Sequence, residues 1–318
     1  MLLQVIRFTA KLLPARMPEL IYTVLLRPRP LRRLAHRMLL RVIPSEVIVD
    51  GLTLCLNPSD PVLSSALAFG IYENYEAEVF RHFCRPEATV VDIGANIGLY
   101  TAIAAARVGK SGKVVAIEPH PESYACLQKM IQRNAFTQVA SFNVAAGDGR
   151  RSVALFITDE NKADSRIYDH TGQRAKVLTK MVDLDHLLAE NGIHHVDLIK
   201  MDIQGAEALA LKGMSRTLAE NPGLVIFAEF WPWGIQQTGL SAAEFLRDLR
   251  KAGFSFQAIE EDRRRIVDID DIEQLIARHD NLQYTGANFR RSHANLICTR
   301  KTLPHALQPA SQSASGLR

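Results

Sequence analysis

Three acids stand where carboxylates could grip a ligand: Asp92, Glu118 and Asp202. The stretch "VVDIGANIGLYT" covers residues 90–101; an apolar run ends in Asp92, and Gly94 and Gly98 follow with Asn96 between them. Glu118 ends a second apolar run, twenty residues after Gly98. A carboxylate there can accept both hydroxyls of a ribose, which also suits a dinucleotide enzyme. Two details point elsewhere. A dinucleotide turn needs G-x-G-x-x-G, so that helix N-terminal amides hold a pyrophosphate; here the pattern is G-x-x-x-G, with Asn96 where a close-approach glycine would stand. Asp92 would repel a pyrophosphate and attract an ammonium or sulfonium group. The turn therefore suits a cationic, amino-acid-bearing nucleoside, S-adenosylmethionine. A nicotinamide-dependent oxidoreductase is the disfavoured alternative, and a plain strand-to-helix connection is the structural one.

A methyl donor needs an acceptor and a group to take the acceptor's proton. A hydroxyl acceptor would be a poor nucleophile, so a general base should assist. Asp202, in "IKMDIQGAE", ends an apolar run and is the first candidate, as base or as ligand to a divalent metal that acidifies the hydroxyl. Its competing role is to cap a helix starting near Gly205. Glu229, ending "LVIFAEF", is the second catalytic candidate, and Glu207 is weaker; a structural hydrogen bond is the simpler role for both. His120 reads as a partly exposed loop residue. His194 and His195 read as loop residues and not a metal pair, because neighbours on an extended chain point oppositely. Trp231 and Trp233, in "FWPWG", offer either an aromatic wall for the acceptor or core packing.

Strands must alternate with helices to place these residues together. Strands are expected at 89–94, 113–118, 139–145, 196–202, 223–230 and 254–260, and helices at 97–108, 121–134, 205–219 and 241–252. That alternation predicts an α/β fold with a parallel sheet covered on both faces. The cores "TVVDIG", "KVVAIE", "VDLIKMD" and "LVIFAEF" are nearly continuous apolar runs, as strands buried on both sides are. Ligands in such sheets bind beyond the carboxyl ends of the strands, which is where Asp92, Glu118, Asp202 and Glu229 fall. "EVIVDGLTLCLN" predicts a hairpin over 46–57 and "GIYENYEAEVFRHF" a helix over 70–83. Residues 150–188 break the alternation and predict an insertion with extra strands at "RRSVALFI" and "AKVLTKMVDLDHLL". "SHANLICTR" at 292–300 fits an antiparallel closing strand.

The chain has 318 residues, 47% apolar and 23% charged, enough for a sizeable core without disulfides. Its four cysteines are scattered with no C-x-x-C pair, which suggests neither zinc nor a redox dithiol and fits buried thiols in a reducing cytosol. The net charge of +4 is uneven: residues 1–44 carry eight Arg and Lys11 against Glu19, leaving the remainder acidic. That argues against a nucleic-acid-binding face on the main body. The arm over residues 1–45 predicts short basic amphipathic helices chopped by prolines. They either pack on the domain or lie on the inner face of an anionic membrane. No run is apolar enough for a spanning helix, and no charge precedes the first apolar run as a signal peptide would want. Residues 301–318 predict a disordered tail.

"VVDIGANIGLYTAIAA", "GKVVAIEPHPESYACLQKMIQRN", "FNVAAGD" and "VDLIKMDIQGAEALALKGM" together resemble the FkbM family of S-adenosylmethionine-dependent methyltransferases over about residues 48–300. The resemblance implies a class I (Rossmann-like) methyltransferase domain over 89–300, led in by 46–88. It implies seven strands in the order 3-2-1-4-5-7-6 and O-methylation of a hydroxyl on a sugar, glycoconjugate or glycosylated natural product. Carried over, Asp92, Gly94, Asn96 and Gly98 line the methionine part of the cofactor and Glu118 binds the ribose. Asn143 and Ala145 lie near the adenine, Asp202 lies beside the methyl group, and Tyr72 and Glu73 close the pocket. Gln204 departs from the family, which often has Glu there. A membrane-associated binding protein without activity is a further alternative, against which the full motif set speaks.

Overall fold

The structure is a computed structural model and describes residues 43–57, 59–70, 72–158, 162–280 and 293–300. The arm expected over 1–45 falls, up to residue 42, outside the described residues, as does the tail at 301–318. A hairpin opens the described chain, β1 (Glu46–Val49) and β2 (Leu52–Cys55), paired antiparallel about the Asp50-Gly51 turn. Two helices follow, α1 (Pro61–Phe69) and α2 (Asn74–Phe83). The alternating units then run β3 (Thr89–Ile93), α3 (Leu99–Val108), β4 (Lys113–Ile117), α4 (Pro121–Arg133) and β5 (Val139–Phe142). The insertion carries β6 (Ala145–Ala146), β7 (Arg151–Ile157), β8 (Ala175–Val182) and α5 (Leu184–Glu190). The second half runs β9 (Leu198–Met201), α6 (Glu207–Lys212), α7 (Ser215–Glu220), β10 (Val225–Phe230), α8 (Pro232–Gln237) and α9 (Ala242–Lys251). It ends with β11 (Ser255–Glu260), β12 (Arg265–Ile269), α10 (Ile272–Asp280) and β13 (Ala294–Thr299).

The large sheet has eight strands in the order β5-β4-β3-β9-β10-β13-β11-β12. The first five are parallel, and β13 runs antiparallel between β10 and β11. The expected seven strands gain an eighth, β12, antiparallel at the edge. Successive residues of β3 and β4 face opposite layers: Val90 and Val114 join one apolar core, Val91 and Val115 the other. That two-sided burial is why these strands lack polar alternation.

Several boundaries differ from expectation. The third strand stops at Phe142; Ala145–Ala146 pair instead with Met181–Val182 in a separate three-stranded sheet with β7. The run 175–188 is a strand and then a helix, divided at Asp183, whose carboxylate accepts the His186 N–H at 3.0 Å and caps α5. The helix expected over 205–219 is split into α6 and α7. The lead-in helix starts at Asn74, and α1 precedes it: Asp60 accepts the Val62 and Leu63 N–H groups, Pro61 occupies the first turn, and Gly70 ends the helix in the left-handed region. All four cysteines are free and buried. Among the described residues, no helix is long and apolar enough to cross a membrane.

Candidate active site

The carboxyl ends of β3, β4 and β9 open onto one cleft of about 980 Å³, counting its solvent-open part. Gly94 adopts φ +87°, and a Cβ there would stand 2.0 Å from the Asp202 carbonyl oxygen. The turn after β3 can therefore touch the end of β9 only because it is glycine. Asn96, at φ +51°, donates its N–H to Glu118 Oε2 at 2.8 Å. Glu118 Oε1 accepts the His120 N–H at 2.7 Å. Each carboxylate oxygen is thus fixed by one amide while retaining capacity for a second donor. Burial raises Glu118 to about 7, against those two amides. Asp92 is buried beneath the turn, raised to about 6 by burial, and accepts a hydrogen bond from the Thr101 hydroxyl at 2.5 Å. Asn96 lines the cleft, and its side-chain oxygen is buried with no hydrogen-bond partner.

Of the residues singled out for the cofactor, Tyr72, Asp92, Gly94, Asn96, Glu118, Ala145 and Asp202 line the cleft. Three others do not. Gly98 packs α3 on α4: a Cβ there would meet Met130 Cε at 2.4 Å and Leu127 Cδ1 at 2.7 Å. Asn143 shapes the loop behind Glu118, donating Nδ2 to the carbonyls of Glu118 at 2.8 Å and Pro119 at 3.1 Å. Glu73, left-handed at φ +39° just before α2, accepts the Tyr100 hydroxyl at 2.8 Å and acts on the cleft through that ring. Burial, then the charge of Glu76, raises Glu73 to about 8.

Sequence reasoning missed the ion pair beneath this wall. Lys200 is buried within β9 and lines the cleft; its Nζ lies 3.1 Å from Glu76 Oε1 and 3.8 Å from Asp202 Oδ2. Burial opposes its charge, but Glu76, Asp202 and Glu73 outweigh it and hold the ammonium above its ordinary range. Glu76 is steadied from β13 by the Asn295 amide. The signal available in the sequence was a lysine inside "VDLIKMD": a charge in a strand buried on both faces requires a counter-charge.

Asp202 ends β9 at the cleft. Gln204 Nε2 donates to Asp202 Oδ1 at 2.9 Å and to Glu229 Oε2 at 3.2 Å. Glu229, ending β10, is buried behind this amide and does not itself line the cleft. Burial, then Asp202 and Glu207, pushes its carboxyl well above the usual range. The capping role considered for Asp202 is not observed: α6 has Ala206 at its N-cap and no side-chain cap. Glu207 closes that turn, accepting the N–H groups of Ile203 at 2.9 Å and Gly205 at 3.2 Å.

The insertion roofs the cleft with Ala163, Ser165 and Ile167. Between them Arg166, 2% exposed, binds Asp164 at 2.5 Å and lies 4.7 Å from the Trp231 ring and 5.8 Å from that of Trp233. Both tryptophans serve this packing: Trp231 is buried, and Trp233 is half-buried with His170 edge-on at 4.6 Å. His120 is buried, not an exposed loop residue; its Nδ1 accepts the Ser123 N–H at 3.3 Å and caps α4. His194 and His195 lie outside the cleft, and His195 pairs with Asp197 at 3.1 Å. Among the described residues, no three His, Cys, Asp or Glu side chains are grouped to hold a metal ion.

The chain resembles known proteins. It is 27% identical over 165 residues to the AMB antimetabolite synthetase AmbE of Pseudomonas aeruginosa, covering 41% of this chain and 8% of that one. It is 24% identical over 147 residues to Methyltransferase 1 of Beauveria bassiana, covering 40% of this chain and 59% of that one. The chain thus spans less than two thirds of either curated relative. Among solved structures, methyltransferase FkbM from Methylobacillus flagellatus aligns over 84% of this chain and 59% of that one, at 17% identity and a TM-score of 0.40. The model of the methyltransferase FkbM domain matches residues 92–256, from the Asp92 turn through β10 to β11, and the chain belongs to that family.

Proposed function

We propose that the protein transfers a methyl group from S-adenosylmethionine to a hydroxyl oxygen of a sugar, glycoconjugate or glycosylated natural product. The observation that carries this reading is the charge of the cleft: Asp92, Glu118 and Asp202 line it, with Glu76 behind, and Lys200 is the one cation among its lining residues. Such a site favours a sulfonium and an ammonium and disfavours a pyrophosphate. The residues present fit the donor. Glu118 offers two oriented oxygens to a ribose, and the unpartnered Asn96 oxygen awaits a donor such as an ammonium. In this reading Asp92 and Gly94 would serve the methionine part, Ala145 the adenine, and Tyr72 the wall; all four line the cleft.

S-adenosylmethionine supplies an electrophilic methyl group. Asp202 accepts the proton of the attacking hydroxyl, and Glu229, whose carboxyl burial pushes well above the usual range, backs that carboxylate through Gln204. The insertion residues Ala163, Ser165 and Ile167 would limit the access of water to the reacting groups. No nucleic acid is expected as partner. The enzyme is expected in the cytoplasm, with residues 1–44 as a peripheral membrane contact that liposome flotation with and without them would test.

The test is transfer of labelled methyl from S-adenosylmethionine to a panel of sugars and glycoconjugates. Label on a hydroxyl oxygen of one of them is the expected result. Label found only on nitrogen or carbon acceptors would overturn the O-methylation reading.

A further inference from the structure

Gln204 stands where three segments distant in sequence meet. It follows the end of β9, its amide reaches Glu229 at the end of β10, and its main-chain carbonyl accepts the Tyr168 hydroxyl of the insertion at 3.1 Å. Its backbone is left-handed, φ +53°, a conformation that side chains other than glycine seldom adopt. Two devices hold it there. Glu207 accepts the amides on either side, those of Ile203 and Gly205, and Tyr168 holds the carbonyl. The effect is to aim one side chain into the cleft between two carboxyls. An NH2 group has two protons, and here one goes to Asp202 and the other to Glu229. Without a donor between them, those acids would face each other at the edge of a low-dielectric site.

We propose that Gln204 is the positioning residue of the reacting end: its amide holds the Asp202 and Glu229 carboxyls side by side, and its carbonyl fastens the insertion above them. The catalytic part of this role rests on the reading of Asp202 as proton acceptor. Lys200, Glu207 and Glu73 also act on this pair from β9, α6 and the turn before α2, so any change of charge at position 204 is felt by a full cluster.

The experiment is thermal unfolding of the ligand-free full chain between pH 5.5 and 8.5, for wild type, Gln204→Glu, Gln204→Met and the double variant Gln204→Glu with Glu229→Gln. In Gln204→Glu a third carboxyl joins the pair, and its folded pKa is raised above its unfolded value. Its contribution is therefore present at low pH and lost as pH rises through the folded pKa. The deficit against wild type should be small at pH 5.5 and grow by about 5 °C at pH 8.5. Gln204→Met removes the donor without adding a carboxyl, so its deficit should also grow with pH, but by less than that of Gln204→Glu. The double variant restores an amide–carboxylate pair with the roles exchanged, and should recover most of the loss at pH 8.5. Should Gln204→Glu fail to fold at any pH, the double variant decides: its folding supports the proposal, and its failure overturns it. A pH-independent deficit in Gln204→Glu, or no recovery in the double variant, would reduce Gln204 to a packing residue. For the catalytic part, Gln204→Met should bind S-adenosylmethionine within about threefold of wild type and lose about a hundredfold in transfer to the acceptor found in the panel. Unchanged transfer would overturn the positioning role. Absence of S-adenosylmethionine binding in wild type would sink the donor reading instead, and leaves the unfolding result to stand by itself.

Discussion

The two ends of the cleft are built in opposite ways. The end that would hold the nucleoside is local: Asp92, Gly94, Asn96, Glu118 and His120 come from one strand–turn–helix–strand unit, and main-chain amides fix its carboxylate. The reacting end is assembled from afar. Glu76 on α2 meets Lys200 on β9, Glu229 on β10 meets Gln204, and Tyr168 of the insertion caps that residue. A site held by main-chain groups is fixed once its strands pair. A site held by side chains from four segments depends on each of them. The nucleoside end should therefore fail through backbone changes and the reacting end through single side chains.

The largest effect is expected at the reacting end. Asp202→Asn should lower methyl transfer by about 10²–10⁴-fold, the usual worth of a general base. Donor affinity, measured by calorimetry, should fall far less, by at most about tenfold, because Asp202 is one of three acids lining the cleft. Equal transfer by the variant would remove Asp202 from the chemistry. At the nucleoside end, Gly94→Ala should destabilise the chain by about 3–5 kcal/mol, because a Cβ would overlap the Asp202 carbonyl at a positive φ. Thermal unfolding reads this as a melting point lower by roughly 10 °C; a wild-type melting point would mean that β3 and β9 can part at no cost. Glu118→Gln replaces one accepting oxygen with a donor and should weaken S-adenosylmethionine about 10- to 100-fold, since a buried ribose hydroxyl is left unpaired.

The smallest effect is with pH. Burial raises Asp92 to about 6 and Glu118 to about 7. Folded values above the unfolded ones give stability that is present at low pH and lost as pH rises through them. The ligand-free protein should therefore melt a few degrees lower at pH 8 than at pH 5.5. A cationic donor binds the ionised acids, so its affinity should rise several-fold over the same interval. Affinity falling with pH would argue against a cationic ligand.

That same division explains what the sequence disclosed. The strand runs around Asp92 and Glu118 were readable because two-sided burial and a glycine turn leave local marks, and the family motifs lie on them. Gly98 was misplaced because a left-handed glycine has one sequence signature whether a ligand or a neighbouring helix comes close; here Met130 and Leu127 do. Asn143 was misplaced because the third strand ends at Phe142, earlier than its apolar run suggests, and so its amide turns back to the Glu118 loop. The Glu76–Lys200 pair and the Gln204–Glu229 hydrogen bond join residues far apart in the chain, so no spacing rule shows them. The start of α1 was legible in principle: "DPV" carries an Asp cap followed by proline, and Gly70 a left-handed stop. β12 and α10 continue the alternation past β11, where short, mixed-polarity runs give little periodic signal.

The central claim is that the acid-lined cleft receives a cationic nucleoside and not a pyrophosphate. Isothermal titration of the full chain with S-adenosylmethionine and, separately, with NAD tests it most directly. One S-adenosylmethionine site with a dissociation constant of about 100 μM or tighter, weakened in Glu118→Gln, is expected, with no heat from NAD at millimolar concentration. Saturable NAD binding with no S-adenosylmethionine binding would contradict it.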